Sequence, residues 1–98
     1  MLAAFSITPI GVGEDVGEQV AAAVRVIRDS GLPNRTAASF TEIEGEWDEV
    51  MAIIKAATDA VMGVSTRCSI IIKADVRPGH HNTLTTKLES VERHLAQQ

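Results

Sequence analysis

The chain has no tyrosine, one tryptophan and two phenylalanines, so aromatic residues make up only 3% of its 98 positions. A surface that stacks single-stranded nucleic acid on aromatic rings is therefore excluded. Positive charge is scarce as well: nine Lys and Arg stand against thirteen Asp and Glu, a net charge of −4. Binding to a phosphate backbone needs the opposite balance, whereas an acidic surface suits a small cationic ligand. The one cysteine, Cys68, leaves no intrachain disulfide to form. It lies in an apolar run and reads as a buried structural thiol, not a reactive one. No apolar run approaches the roughly 20 residues of a membrane helix, and the first residues lack the basic and long apolar regions of a secretory signal. These absences point to a cytoplasmic protein with neither a nucleic-acid nor a membrane partner.

What is present is a core of Val, Ile, Leu and Ala, within a hydrophobic content of 45%. The length fits one domain over residues 1–98. A chain this short buries only about 60–70% of its unfolded surface, so subunit contacts could complete a modest core.

Residues 2–8 form a short mixed strand, closed by Pro9, Gly11 and Gly13. Alternation sets Phe5 and Ile7 on one face and Ala4, Ser6 and Thr8 on the other. Asp15 and Glu18 have capping-box spacing. Val16, Val20, Ala23, Val24 and Ile27 then recur at helical spacing, which predicts a helix over 15–30. Gly31 is its left-handed cap, and Pro33 stops it. Two strands, about 34–38 and 41–45, meet at Ser39 and Phe40. Ile43 points to the core there, and Glu42 and Glu44 point away. The acids Glu46, Asp48 and Glu49 open a second helix, whose expected buried stripe is Trp47, Val50, Met51, Ile54, Ala57, Thr58 and Val61, with a pocket wall as the alternative place for Trp47. The segment from Cys68 to Val76 is the most β-prone and predicts a nearly fully buried central strand, with Ile70 and Ile72 on the face of Phe5 and Ile7. Ser69, Ile71 and Lys73 take the other face. A last helix carries Leu84, Leu88, Val91 and Leu95 along a stripe narrow enough to pack on an edge or on a neighbouring subunit.

The order predicts an α+β, ferredoxin-like βαββαβ sandwich: a four-stranded antiparallel sheet, two helices on one face, and an extra C-terminal helix. The opposite face, with Ala4, Ser6, Thr8, Glu42, Glu44, Ser69, Ile71 and Lys73, is too apolar for water and too polar for a dry core. Homo-oligomerisation would cover it and leave pockets where polar groups converge.

Motifs for chemistry are thin. His80 and His81 are adjacent and His94 is remote, a poor set of ligands for one metal ion. Gly11-Val-Gly-Glu lacks the further glycine or lysine of a phosphate loop, and no nucleophile-elbow pattern occurs. No metal, cofactor or catalytic group is expected, although a small cofactor-free enzyme using His80 or His81 is a further possibility. Glu42 and Glu44 stand among the hydroxyls of Ser6, Thr8, Ser39 and Thr41. Either carboxylate could meet an amidine-like edge, such as that of an aminopyrimidine, in a charge-assisted pair, with Phe40 at the hairpin tip flanking the ring. For Lys73 and Arg67, cross-strand pairing with Glu42 or Glu44 is the simpler expectation, with anion binding second.

Phe5-Ser-Ile-Thr-Pro, Gly11-Val-Gly-Glu, Ile43-Glu-Gly-Glu-Trp-Asp-Glu-Val-Met51, Lys73-Ala-Asp-Val-Arg77 and Lys87-Leu-Glu-Ser-Val-Glu together resemble the YkoF-like family of small thiamine-binding proteins. The resemblance implies a ferredoxin-like protomer, assembled as a homodimer or as a dimer of dimers, that binds thiamine or its hydroxymethylpyrimidine moiety without turnover. Salvage, transport or sensing of thiamine would be its role. Ser6, Thr8, Thr41 and Glu44 match the family pattern; the hairpin Ala37-Ala-Ser-Phe-Thr41 departs from it. The alternative is a regulatory or structural homo-oligomeric module that binds another small ligand, such as an amino acid.

Overall fold

The computed structural model describes residues 1–13, 17–63 and 65–97. Its elements run β1 (Leu2–Ile10), α1 (Gly17–Asp29), β2 (Asn34–Thr36), β3 (Thr41–Glu44), α2 (Trp47–Met62), β4 (Arg67–Asp75) and α3 (Thr83–Ala96). The strands make one antiparallel sheet in the order β2-β3-β1-β4. This is the expected ferredoxin-like arrangement of four strands and three helices. The capping position expected at Asp15 lies outside the described residues. Gly31 has φ 79°, the left-handed stop expected at the end of α1.

The register separates the two faces. Phe5 pairs with Thr41 and Ile72, and Ala3 with Ile43 and Ala74. Phe5, Ala3 and Ile43 are buried beneath α1 and α2. Ala23 and Ile27 from α1 complete the core with Val50, Ile54, Ala57 and Val61 from α2. Gly45 sits in a tight spot: a Cβ there would lie 3.2 Å from Leu32 Cδ1, so the Leu32 side chain would have to give way by a few tenths of an ångström.

Three expectations are corrected. Trp47 is not in the buried stripe of α2: at the first helical position it is 55% exposed and borders a hollow with Met1 and Leu32. β4 is not a buried central strand but an edge strand, paired among the described residues with β1 alone. Ile70, Ile71 and Ile72 are all exposed on it, and Cys68 is only partly buried. Finally, the face opposite α1 and α2 is not wholly open, for the first turn of α3 seats against β3 there.

Beyond that turn Lys87 is tied to Asp75 of β4, and Leu88 and Glu92 border a hollow of about 640 Å³ beside Asn34 and Arg35 of β2. Leu88, Val91 and Leu95 are nonetheless exposed. The molecule is elongated, 48 × 30 × 20 Å. No helix among the described residues is long and apolar enough to cross a membrane.

Candidate functional site

β3 stops pairing with β1 at Phe5, whereas β4 follows β1 through Ile10. From Ser6 onward β1 therefore has no strand on its β3 side, and a cleft of about 170 Å³ opens beside it. One wall is β1 itself. The second is α1, through Val20, Ala23, Val24 and Ile27, and the third is the hairpin running from Thr36 to Thr41. The Ala37 N–H donates to the Phe40 carbonyl at 3.0 Å, closing that hairpin and fixing Ser39 and Phe40 at its tip.

Five of the expected site residues, Ser6, Thr8, Ser39, Phe40 and Thr41, line this one cleft. Thr36 adds a further hydroxyl, and none of the lining side chains is charged. Hydroxyls both donate and accept, so the cleft can read the edge of a neutral heteroaromatic ring while α1 and Phe40 supply apolar contact. The α1 wall was legible only as a core stripe in sequence. Its contribution depends on how far β3 extends, which periodicity does not specify. The cleft lies along the unpaired edge of β1 beside α1, not on the open sheet face where recognition was expected, and residues of both strand faces, Phe5 and Ile7 as well as Ser6 and Thr8, border it.

The two glutamates are elsewhere. Glu42 pairs with Ala4 and Arg35 on the sheet face away from α1 and α2, and it does not line the cleft. Lys73 also pairs with Ala4, so β1 separates it from Glu42 and the expected cross-strand ion pair does not form. Ion pairs among the described residues instead join Lys55 to Asp59 and Lys87 to Asp75. Glu44 is buried and already engaged. Its carboxylate accepts from the Thr83 N–H at 2.9 Å, the Thr83 hydroxyl at 2.5 Å and the Leu84 N–H at 3.2 Å. Asn82, at the N-cap of α3, supplies no side-chain cap; Glu44 satisfies the orphan donors from across the chain. Burial pushes the Glu44 carboxyl up, but the hydrogen bonds from Thr83 and Leu84 outweigh this and hold it below the ordinary value.

A second hollow, of about 400 Å³, lies at the opposite end of the sheet between the start of α2 and the loop that carries His80 and His81. Glu44 forms part of its floor and Trp47 part of its wall. Among the described residues, no three His, Cys, Asp or Glu side chains gather as a metal site.

A ferredoxin-like sheet with a small, uncharged, hydroxyl-lined cleft at one end defines the class. Residues 3–92 match the profile of the thiamine-binding protein family, and the chain belongs to that family. It is 55% identical to a UPF0045 protein of Mycobacterium bovis over 97% of this chain and 94% of the relative. The crystal structure of a hypothetical protein from Methanocaldococcus jannaschii superposes with a TM-score of 0.85, at 32% identity, over 93% of this chain and 94% of that one. A Thermotoga maritima structure, whose name proposes a part in thiamine biosynthesis or salvage, gives a TM-score of 0.75 over 93% of this chain and 99% of that one. At 22% identity, that last likeness speaks to the fold alone.

Proposed function

We propose that this chain binds thiamine or its hydroxymethylpyrimidine moiety without catalysing a reaction, and that the cleft between α1 and the β2–β3 hairpin receives the aminopyrimidine ring. The observation that carries this reading is the convergence of Ser6, Thr8, Ser39, Phe40 and Thr41 on one uncharged hollow. Membership in the thiamine-binding protein family supports the ligand class. In this reading the hydroxyls meet the ring nitrogens and exocyclic amine, and Phe40 covers the ring. The cationic thiazolium lies toward the mouth, favoured by the net charge of −4. With Glu44 committed to α3 and Glu42 on the other face, neither carboxylate is needed for the contact.

The cleft is smaller than the roughly 300 Å³ at which ligand pockets usually begin. A homodimer or dimer of dimers, burying the exposed isoleucines of β4, would enclose the ligand more fully. Thermal-shift titration tests the reading: thiamine or hydroxymethylpyrimidine at 100 times its dissociation constant should add about 2.7 kcal/mol of stability. The combined variant Ser6→Ala, Thr8→Val should abolish most of that shift. No shift with either compound at millimolar concentration would remove the proposal, and a shift with amino acids instead would favour a regulatory module.

A further inference from the structure

The hollow between the start of α2 and the loop after β4 holds about 400 Å³, within the roughly 300–1,000 Å³ usual for small-molecule sites. It is separate from the hydroxyl-lined cleft, which lies at the other end of the sheet. Leu32, Pro33 and Val76 give it an apolar lining, and Trp47 stands at its wall. A tryptophan left half exposed beside a concavity offers a large, rigid apolar ring to a ligand.

The polar side chains of this hollow sort by sign. On the α2 side, Glu46 and Glu49 form the reciprocal cap of the helix: Glu49 Oε1 accepts from the Glu46 N–H at 3.1 Å, and the Glu46 side chain accepts from the Glu49 N–H. A carboxylate has about four acceptor positions, so both keep capacity for a further donor. On the loop side stand Arg77, His80 and His81. Pro78 followed by Gly79, whose φ is 79°, has the signature of a type II turn, and the His80 N–H donates to the Arg77 carbonyl at 3.1 Å. That turn brings the Cα atoms of Arg77 and His80 within about 7 Å of each other. Asp75, the acid nearest Arg77 in the chain, is held by Lys87. Among the described residues, the side chains of Arg77, His80 and His81 make no hydrogen bond or ion pair.

A simple anion in this hollow would lie against Glu44, Glu46 and Glu49, and a simple cation against Arg77. A molecule that carries both charges on an apolar body meets neither conflict. We infer that the hollow binds a free amino acid with an aromatic or large aliphatic side chain. Its carboxylate meets Arg77 and His80, its ammonium meets Glu46 and Glu49, and its side chain lies against Trp47 and Val76. This site does not depend on what the hydroxyl-lined cleft binds.

Trp47 is the chain's one tryptophan, and there is no tyrosine, so indole emission reports on this hollow. Titration of the full chain with L-phenylalanine or L-leucine should change that emission saturably at millimolar concentration or below. Phenylalaninamide lacks the carboxylate and phenylpropionate lacks the ammonium. Each should bind about tenfold more weakly than L-phenylalanine, since each loses a hydrogen bond between charged groups. Arg77→Gln should weaken L-phenylalanine binding to a similar degree, with circular dichroism and the thermal shift given by hydroxymethylpyrimidine unchanged. No saturable change with either amino acid, undiminished binding of either analogue, or full affinity in Arg77→Gln would each overturn the site.

Discussion

Glu44 accepts three hydrogen bonds from the first turn of α3, and protonation or removal of its carboxylate loses them. Because its folded pKa is depressed, the stabilisation is complete above the ordinary value near 4.5 and is lost as pH falls through the lower folded value. Glu44→Gln should therefore cost about 1–3 kcal/mol at neutral pH, since hydrogen bonds to a charged group are replaced by weaker ones. Urea denaturation of parent and variant at pH 7 and pH 3 will check this, with the gap expected to narrow at the lower pH. That Glu44 points away from Ile43 was legible from strand alternation. That it caps a helix beginning 39 residues later was not, because capping signals are local and Asn82 already occupied the usual position. Trp47 misled for a related reason: helical spacing places a residue on a stripe but does not reveal where the neighbouring elements end. Trp47→Ala is accordingly expected to change stability by less than about 1 kcal/mol, and chemical denaturation monitored by circular dichroism will show it.

At the scale of the element, hydrophobic periodicity identified α1, α2 and the strands flanking them, since their apolar positions face a core made by the same chain. Ile54 lies in that core at 3% exposure, and Ile54→Ala should cost about 2–5 kcal/mol through lost burial and a residual cavity. β4 has the same β-branched composition as a central strand, so composition could not distinguish burial beneath a helix from exposure at an edge. Its pairing with β1 over nine residues keeps the backbone in place while the side chains remain accessible. Ile71→Lys should thus leave the protomer folded, and, if copies associate through β4 as proposed, lower the assembled mass, as sedimentation velocity can measure. The cleft itself was only partly legible. The hydroxyls were visible in sequence, but their meeting point is set by β3 falling five residues short of β1 at that end, a mismatch of lengths that no motif encodes.

The whole molecule is an elongated acidic body with the hydroxyl-lined cleft and the hollow beside Trp47 at opposite ends of one sheet. If the hydroxyl-lined cleft contacts only the neutral ring, the net charge of −4 acts on the thiazolium at a distance. Screening over about 8–10 Å at physiological salt would then weaken thiamine binding as ionic strength rises and leave hydroxymethylpyrimidine nearly unaffected. Isothermal titration of both compounds across a salt series gives that comparison. The edge of β4 has a practical consequence of its own. Among the described residues its outer row of amides and carbonyls has no strand against it, and an exposed, isoleucine-rich edge is a template for fibril growth. Where copies of the chain shield one another, dilution strips that shielding away. A concentrated stock should then keep longer than a dilute one, reversing the usual rule for proteins that precipitate.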